Sequence, residues 1–102
     1  MNKYRAKITF SDLCNRWFDS KAEARRGEEL YLLERAGEIT DLMYQVKFLL
    51  CVKPKISIKI DFAYKIAGMP IYEDTKGILT RDSRTKLAWL KEKFEVEVIL
   101  SK

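Results

Sequence analysis

The sequence predicts a single α/β domain in which a four-stranded mixed sheet is flanked by helices. Three observations carry that expectation. Hydrophobic periodicity alternates between helical and strand-like in the order helix, three strands, helix, strand. The chain has 102 residues, enough for one core. Only two prolines and four glycines punctuate the chain, and no repeat, linker or low-complexity stretch interrupts residues 1–102, which read as one domain.

Tyr4 to Phe10 alternates loosely and reads as a short strand, Ser11 to Asn15 as a turn, and Arg16-Trp17-Phe18 as an extended aromatic segment. Ser20 opens a helix: its hydroxyl suits the N-cap, and Glu23 stands three positions on, as a capping box requires. The helix stops at Gly37, a natural residue just past a helix end. Glu23, Gly27, Leu30 and Glu34 share one stripe, with Leu33 beside them. Glu23 is thereby drawn towards the protein. Leu42 to Val52 forms a strand that ends in Lys53-Pro54. Ile56 to Ile66 forms the next. Strict alternation there points Ile56, Ile58, Ile60, Phe62 and Tyr64 one way, and Ser57, Lys59, Asp61, Ala63 and Lys65 the other. Ala67-Gly68-Met69-Pro70 is a turn, and Ile71 to Lys76 the third strand. Arg81 to Phe94 is a second helix, with Leu87, Leu90 and Phe94 on one face. Glu95 to Leu100 is the closing strand.

Composition narrows the chemistry. Twenty basic and fifteen acidic residues leave a formal charge of +5, which favours polyanionic partners. No signal peptide or membrane-spanning stretch is seen, so a reduced, cytoplasmic protein without a membrane partner is expected. The absence of histidine removes a Ser-His-Asp triad, a Cys-His pair and the usual zinc sites. Catalysis must then rest on carboxylates, lysine, the thiols of Cys14 and Cys51, or a hard metal. Cys51 reads as a small core residue and Cys14 as a turn residue. The aromatics Trp17, Phe18, Phe48, Phe62 and Trp89 read as core.

Three features converge on such chemistry. Asp61 interrupts an apolar strand. Asp74 and Lys76 share a face at the end of the next strand. Glu23 begins the first helix. Clustered carboxylates repel and raise one another's pKa, a cost that Mg²⁺ relieves, because it prefers oxygen ligands together with waters and phosphate oxygens. A neighbouring lysine can hold the attacking water and offset developing charge. Each feature alone has an ordinary reading. Glu23 can be a cap, Asp61 a solvated residue near Lys59 and Lys65, and Asp74 with Lys76 an exposed ion pair worth under ~1 kcal/mol. Their company is what points to a site.

This pattern resembles the PD-(D/E)XK (restriction-endonuclease-like) nuclease superfamily, which includes Holliday junction resolvases. The stretches FDSKAEARRGEELYLLERAGEI, DLMYQVKF, IKIDFAYKIAGMPIYEDTKG and RTKLAWLKEKFEVEVIL look like a family of small phage and prophage proteins assigned to it. The similarity spans roughly Trp17 to Leu100. It implies the superfamily's αβββαβ core, the same element order that the periodicity predicts. It also implies a Mg²⁺-dependent DNA endonuclease, with Mn²⁺ as substitute, acting on branched DNA in phage recombination or repair in the host bacterial cytoplasm, and a homodimer for symmetric cutting. By the resemblance, the catalytic set is Glu23, Asp61, Asp74 and Lys76. Asp61, Asp74, Glu23 and the Thr75 carbonyl serve the metal, and Gln45 touches water or the DNA backbone. Two departures stand out. Ile60, not proline, precedes Asp61, and Glu73 adjoins Asp74, leaving two candidates for the third-motif acid. Alternation favours Asp74, because Lys76 must share its face.

Basic residues suggest where DNA would lie: Lys3, Arg5 and Lys7 on an N-terminal arm, Arg25 and Arg26 after Glu23, and Arg84 and Lys86 on the second helix. The alternative reading is a non-catalytic nucleic-acid-binding module on the same fold.

Overall fold

The computed structural model describes residues 7–75 and 79–101. The expected water-holding Lys76 and the expected DNA contacts Lys3 and Arg5 lie outside the described residues.

The chain opens with a two-stranded antiparallel ribbon, β1 (Thr9–Ser11) and β2 (Arg16–Phe18). Sequence reading anticipated the turn and the extended second segment but not their pairing. Along each strand burial alternates: Ser11 and Phe18 face inward, while Phe10 and Trp17 face out. Trp17 is therefore 64 % exposed, which corrects its expected place in the core. In so short a ribbon only one of two adjacent aromatics can point inward, and Phe18 takes that position. Of the other aromatics expected in the core, Phe62 is fully buried and Phe48 and Trp89 are partly so.

Helix α1 (Lys21–Arg35) follows, capped by the Ser20 hydroxyl, which accepts the Glu23 N–H at 3.0 Å. Its end closes through Gly37, at φ +82°, with the Glu38 N–H donating to the Leu33 carbonyl at 2.9 Å. Phe18 lies on this helix at Gly27, where a Cβ would come within 2.6 Å of the ring. Gly27→Ala is expected to cost about 1–3 kcal/mol through overpacking, despite alanine's better helix propensity. Urea unfolding checks this, and an unchanged midpoint would mean that the ring swings aside freely.

The main sheet comprises β3 (Thr40–Cys51), β4 (Ile56–Ile66), β5 (Met69–Thr75) and β6 (Val98–Ser101), in that spatial order. The first three are antiparallel neighbours, and β6 runs parallel to β5. Helix α2 (Arg81–Phe94) supplies the crossover between them. The β4–β5 hairpin turns on Ala67 and Gly68 alone, both at positive φ. Met69 and Pro70, expected in that turn, are instead paired with Ile66 and Lys65. The closing strand begins at Val98 rather than Glu95, because Glu95 takes the left-handed position that ends α2.

Two cores sandwich the sheet. Phe18, Ala24, Leu30, Ile39, Phe62 and Tyr64 form one against α1, with Ile71 packed on it. Leu50, Ile60, Leu90 and Val96 form the other against α2, with Tyr72 packed on it. Ile71 and Tyr72 are adjacent on one strand, so the two cores occupy opposite faces. The alternation expected along β4 therefore breaks. Phe62 and Tyr64 join the first core, whereas Ile58 and Ile60 join the second. The break falls at Asp61. On the partner strand the change lies between Tyr44 and Phe48, where Gln45 adopts φ +55°. Gln45 and Asp61 lie between the Tyr44–Phe62 and Val46–Ile60 pairs. A left-handed residue inside a strand interrupts the pleat, and an alternation rule cannot foresee it.

Candidate active site

The pleat break brings carboxylates from two strands and one helix into a common region. Asp61 and Asp74 are interlocked across the β4–β5 pair. The Asp61 N–H donates to Asp74 Oδ1 at 2.9 Å, and the Thr75 N–H donates to Asp61 Oδ2 at 2.9 Å. Both side chains are buried, at 8 % and 2 % exposure. Glu23 is 3 % exposed, on the inner face of the first turn of α1. It is more than a cap residue: Gln45 Nε2 donates to its Oε2 at 2.7 Å. Gln45, placed by its resemblance alone, thus ties the helix acid to the strand that faces Asp61. The amide oxygen of Gln45, Oε1, is buried without a hydrogen-bond partner among the described residues, an acceptor turned into the protein and left over.

Electrostatics agree with this grouping. Burial pushes Asp61 up to about 8, and the charges of Asp74 and Glu23 add to that rise. Burial likewise pushes Glu23 up to about 7, with the neighbouring charges of Asp19 and Asp74 adding, against the hydrogen bond from Gln45. Glu23 and Asp61 thus both resist ionisation at neutral pH in the metal-free protein.

The consequence for stability has a definite sign. Both groups bind protons more tightly folded than unfolded, so their contribution is full below about 4 and is lost as pH rises through about 7 and 8. Glu73, which burial would raise but the hydrogen bonds from Arg26 and Tyr64 hold below its ordinary value, acts in the opposite sense, but only in more acidic solution. The melting temperature of the metal-free protein should therefore fall between roughly pH 5 and pH 8.5. Millimolar Mg²⁺ should raise it more at the upper end than at the lower. Calorimetry in EDTA and in Mg²⁺ checks both, and a flat, metal-insensitive profile would contradict them.

The adjacent acid, Glu73, has a different task. Arg26 grips it with Nε and a terminal nitrogen, at 2.6 and 3.0 Å, and the Tyr64 hydroxyl donates at 2.7 Å. Both carboxylate oxygens are thus taken. Of the two candidates for the third-motif acid, Asp74 is the one that meets Asp61. Arg26, expected at the DNA surface, spends its guanidinium on Glu73 and Glu29. This triad, drawn from three elements, had no sequence signature, because Arg26 and Glu73 lie 47 positions apart.

Among the described residues, no three His, Cys, Asp or Glu side chains form a ready-made cation cage. The donors are nevertheless all oxygen, and Mg²⁺ typically takes only one or two protein carboxylates. Asp61 and Asp74 fit that requirement, with the charge of Glu23 felt at Asp61. Of the remaining expected DNA contacts, Lys7, Arg25 and Arg84 are exposed, and Lys86 is paired with Asp82 at 3.4 Å. Among the described residues no helix is long and apolar enough to cross a membrane.

No curated protein and no solved structure matches the chain. A family model described as "Protein of unknown function (DUF1064)" matches residues 1–101, nearly the whole sequence and every element that builds the carboxylate cluster, and the chain belongs to that family.

Proposed function

We propose that this protein is a Mg²⁺-dependent DNA endonuclease of the PD-(D/E)XK type, acting on branched DNA. The observation that carries the reading is the interlocked, buried Asp61–Asp74 pair with Glu23 beside it. Burial and neighbouring carboxylate charge raise Glu23 and Asp61, a cost that a hard cation bound by this oxygen-only group would relieve. The helix–three strands–helix–strand order and the mixed sheet with helices on both faces add support.

Asp61 and Asp74 would hold the metal, with the Thr75 carbonyl as a further ligand. A bound Mg²⁺ would polarise the scissile phosphate and acidify a water. The Thr75 N–H fixes one oxygen of Asp61, and the Asp61 N–H fixes one of Asp74. Each acid is thereby oriented by the other's strand. Glu23, aligned by Gln45, would hold waters around the metal. Lys76, two residues past Asp74 in sequence, would orient the attacking water and offset charge on the phosphorane. Cutting two strands symmetrically would require a homodimer.

The test is incubation of purified protein with Mg²⁺ or Mn²⁺ on linear duplex, single-stranded, flapped and four-way DNA. Cleavage of a branched substrate, lost in EDTA, is the expected result. Binding without cleavage, unaffected by Asp61→Ala, would replace the reading with a non-catalytic nucleic-acid module.

A further inference from the structure

Among the described residues, the β1–β2 ribbon displays an aromatic pair that no other element covers on its outer side. Phe10 and Trp17 are directly opposite in the register. Their rings meet edge to face at 5.2 Å between centroids, with 41 % and 64 % of their surfaces exposed. Exposing two large rings forgoes a substantial hydrophobic gain, and burying them against a ligand would recover it.

The ribbon is held firmly on its inner side. Phe18 sits against Gly27. The Ser11 hydroxyl donates to Glu28 Oε2 at 2.6 Å and accepts the Cys14 N–H at 3.1 Å. The aromatic pair is therefore fixed on the same helix that carries Glu23, and Trp17 precedes that acid by only six positions. A rigid platform costs little entropy on binding.

The charges at one end of the ribbon indicate the occupant. Lys7 stands two residues before Thr9, at the end where β2 runs into α1. Lys21 and Arg25 follow on the first turns of that helix. All three are exposed, and none forms an ion pair among the described residues. Asp19, the acid at this end, is paired with Lys59 at 3.7 Å, while Asp12 lies in the turn at the opposite end. Aromatic faces beside uncompensated cations suit a base attached to a phosphate chain. An apolar protein surface would leave those cations unanswered.

We propose that Phe10 and Trp17 form a stacking platform for an unpaired base of the DNA substrate, with Lys7, Lys21 and Arg25 contacting the adjoining phosphates. This rests on the nuclease reading for its substrate, and it narrows that substrate to DNA with an open or single-stranded base beside the cut. Fully paired duplex keeps its bases stacked on each other and offers the platform nothing.

The test measures binding in EDTA, by fluorescence anisotropy, to a labelled flapped oligonucleotide and to a blunt duplex of the same length. Trp17→Ala and Phe10→Ala, both at exposed positions, should each weaken flap binding by on the order of five- to a hundredfold. Duplex binding should change by less than about threefold, and Trp17→Phe should keep most of the affinity. The pair Lys21→Ala/Arg25→Ala should weaken both substrates alike and flatten the salt dependence. Flap binding by Trp17→Ala equal to that of the unaltered protein, or equal losses on flap and duplex, would overturn the proposal. So would a concentration-dependent dimer in light scattering that Trp17→Ala abolishes, which would assign the face to a second copy. Cleavage decides the nuclease reading separately: Trp17-dependent flap binding without cleavage sinks that reading and keeps the platform. Cleavage without Trp17 dependence does the reverse.

Discussion

Asp61→Asn and Asp74→Asn are each expected to lower Mg²⁺-dependent cleavage of branched DNA by on the order of a thousandfold. The amide keeps the size of the acid and one acceptor oxygen, so the hydrogen bonds from the Thr75 and Asp61 N–H groups can persist. What is lost is the charge that a hard cation needs. The same substitution removes a buried carboxylate that Glu23 and its strand neighbour repel. The Asp61→Asn protein should therefore melt no lower than the unaltered protein in EDTA near pH 8, and should show a weaker fall in stability with rising pH. Lost activity together with kept or improved stability distinguishes a metal ligand from a structural acid. Cleavage that survives Asp74→Asn would remove Asp74 from the mechanism.

Arg26→Ala carries the largest expected stability loss. It strands Glu73, which is 2 % exposed, without its charge partner. Breaking a buried pair from one side typically costs about 3–5 kcal/mol, which in a domain of this size lowers the melting temperature by more than about 10 °C. The Tyr64 hydroxyl, still donating to Glu73, offsets little of a full charge. Removing both partners, as Arg26→Met with Glu73→Leu, should recover much of the loss, because no buried charge is then left alone. Denaturant unfolding of the two single variants and the double variant gives the coupling. A near-neutral Arg26→Ala, accompanied by weakened DNA binding, would return Arg26 to the DNA surface.

The two predictions separate neighbouring acids that are alike in sequence. Glu73 and Asp74 are adjacent, and both are buried. Alternation along the strand sends them to opposite faces. One meets Arg26 and Tyr64, and the other meets Asp61. The preference for Asp74 rested on the position of Lys76, two residues on in sequence. The partner of Glu73 was not, since nothing near it in sequence marks a helix residue 47 positions earlier.

Local interactions made most of the secondary structure legible. Ser20 and Glu23 mark the start of α1, Gly37 marks its end, and Arg81–Phe94 follows helical periodicity. The limits of β4 at Ile56 and Ile66 coincide with the segment that the sequence marks as a strand, although its alternation breaks at Asp61. In each case residues within a few positions satisfy one another, so the chain's own order carries the information. The pairing of β1 with β2, the outward turn of Trp17, the pleat break at Gln45 and Asp61, and the clasp of Arg26 on Glu73 depend on segments that meet only in the folded state. Three acids scattered along the chain were recognisable one by one. Their shared burial, and the pKa rise it imposes on Glu23 and Asp61, arise from packing a helix start against a broken strand, because desolvation and charge repulsion depend on distance in space rather than along the chain.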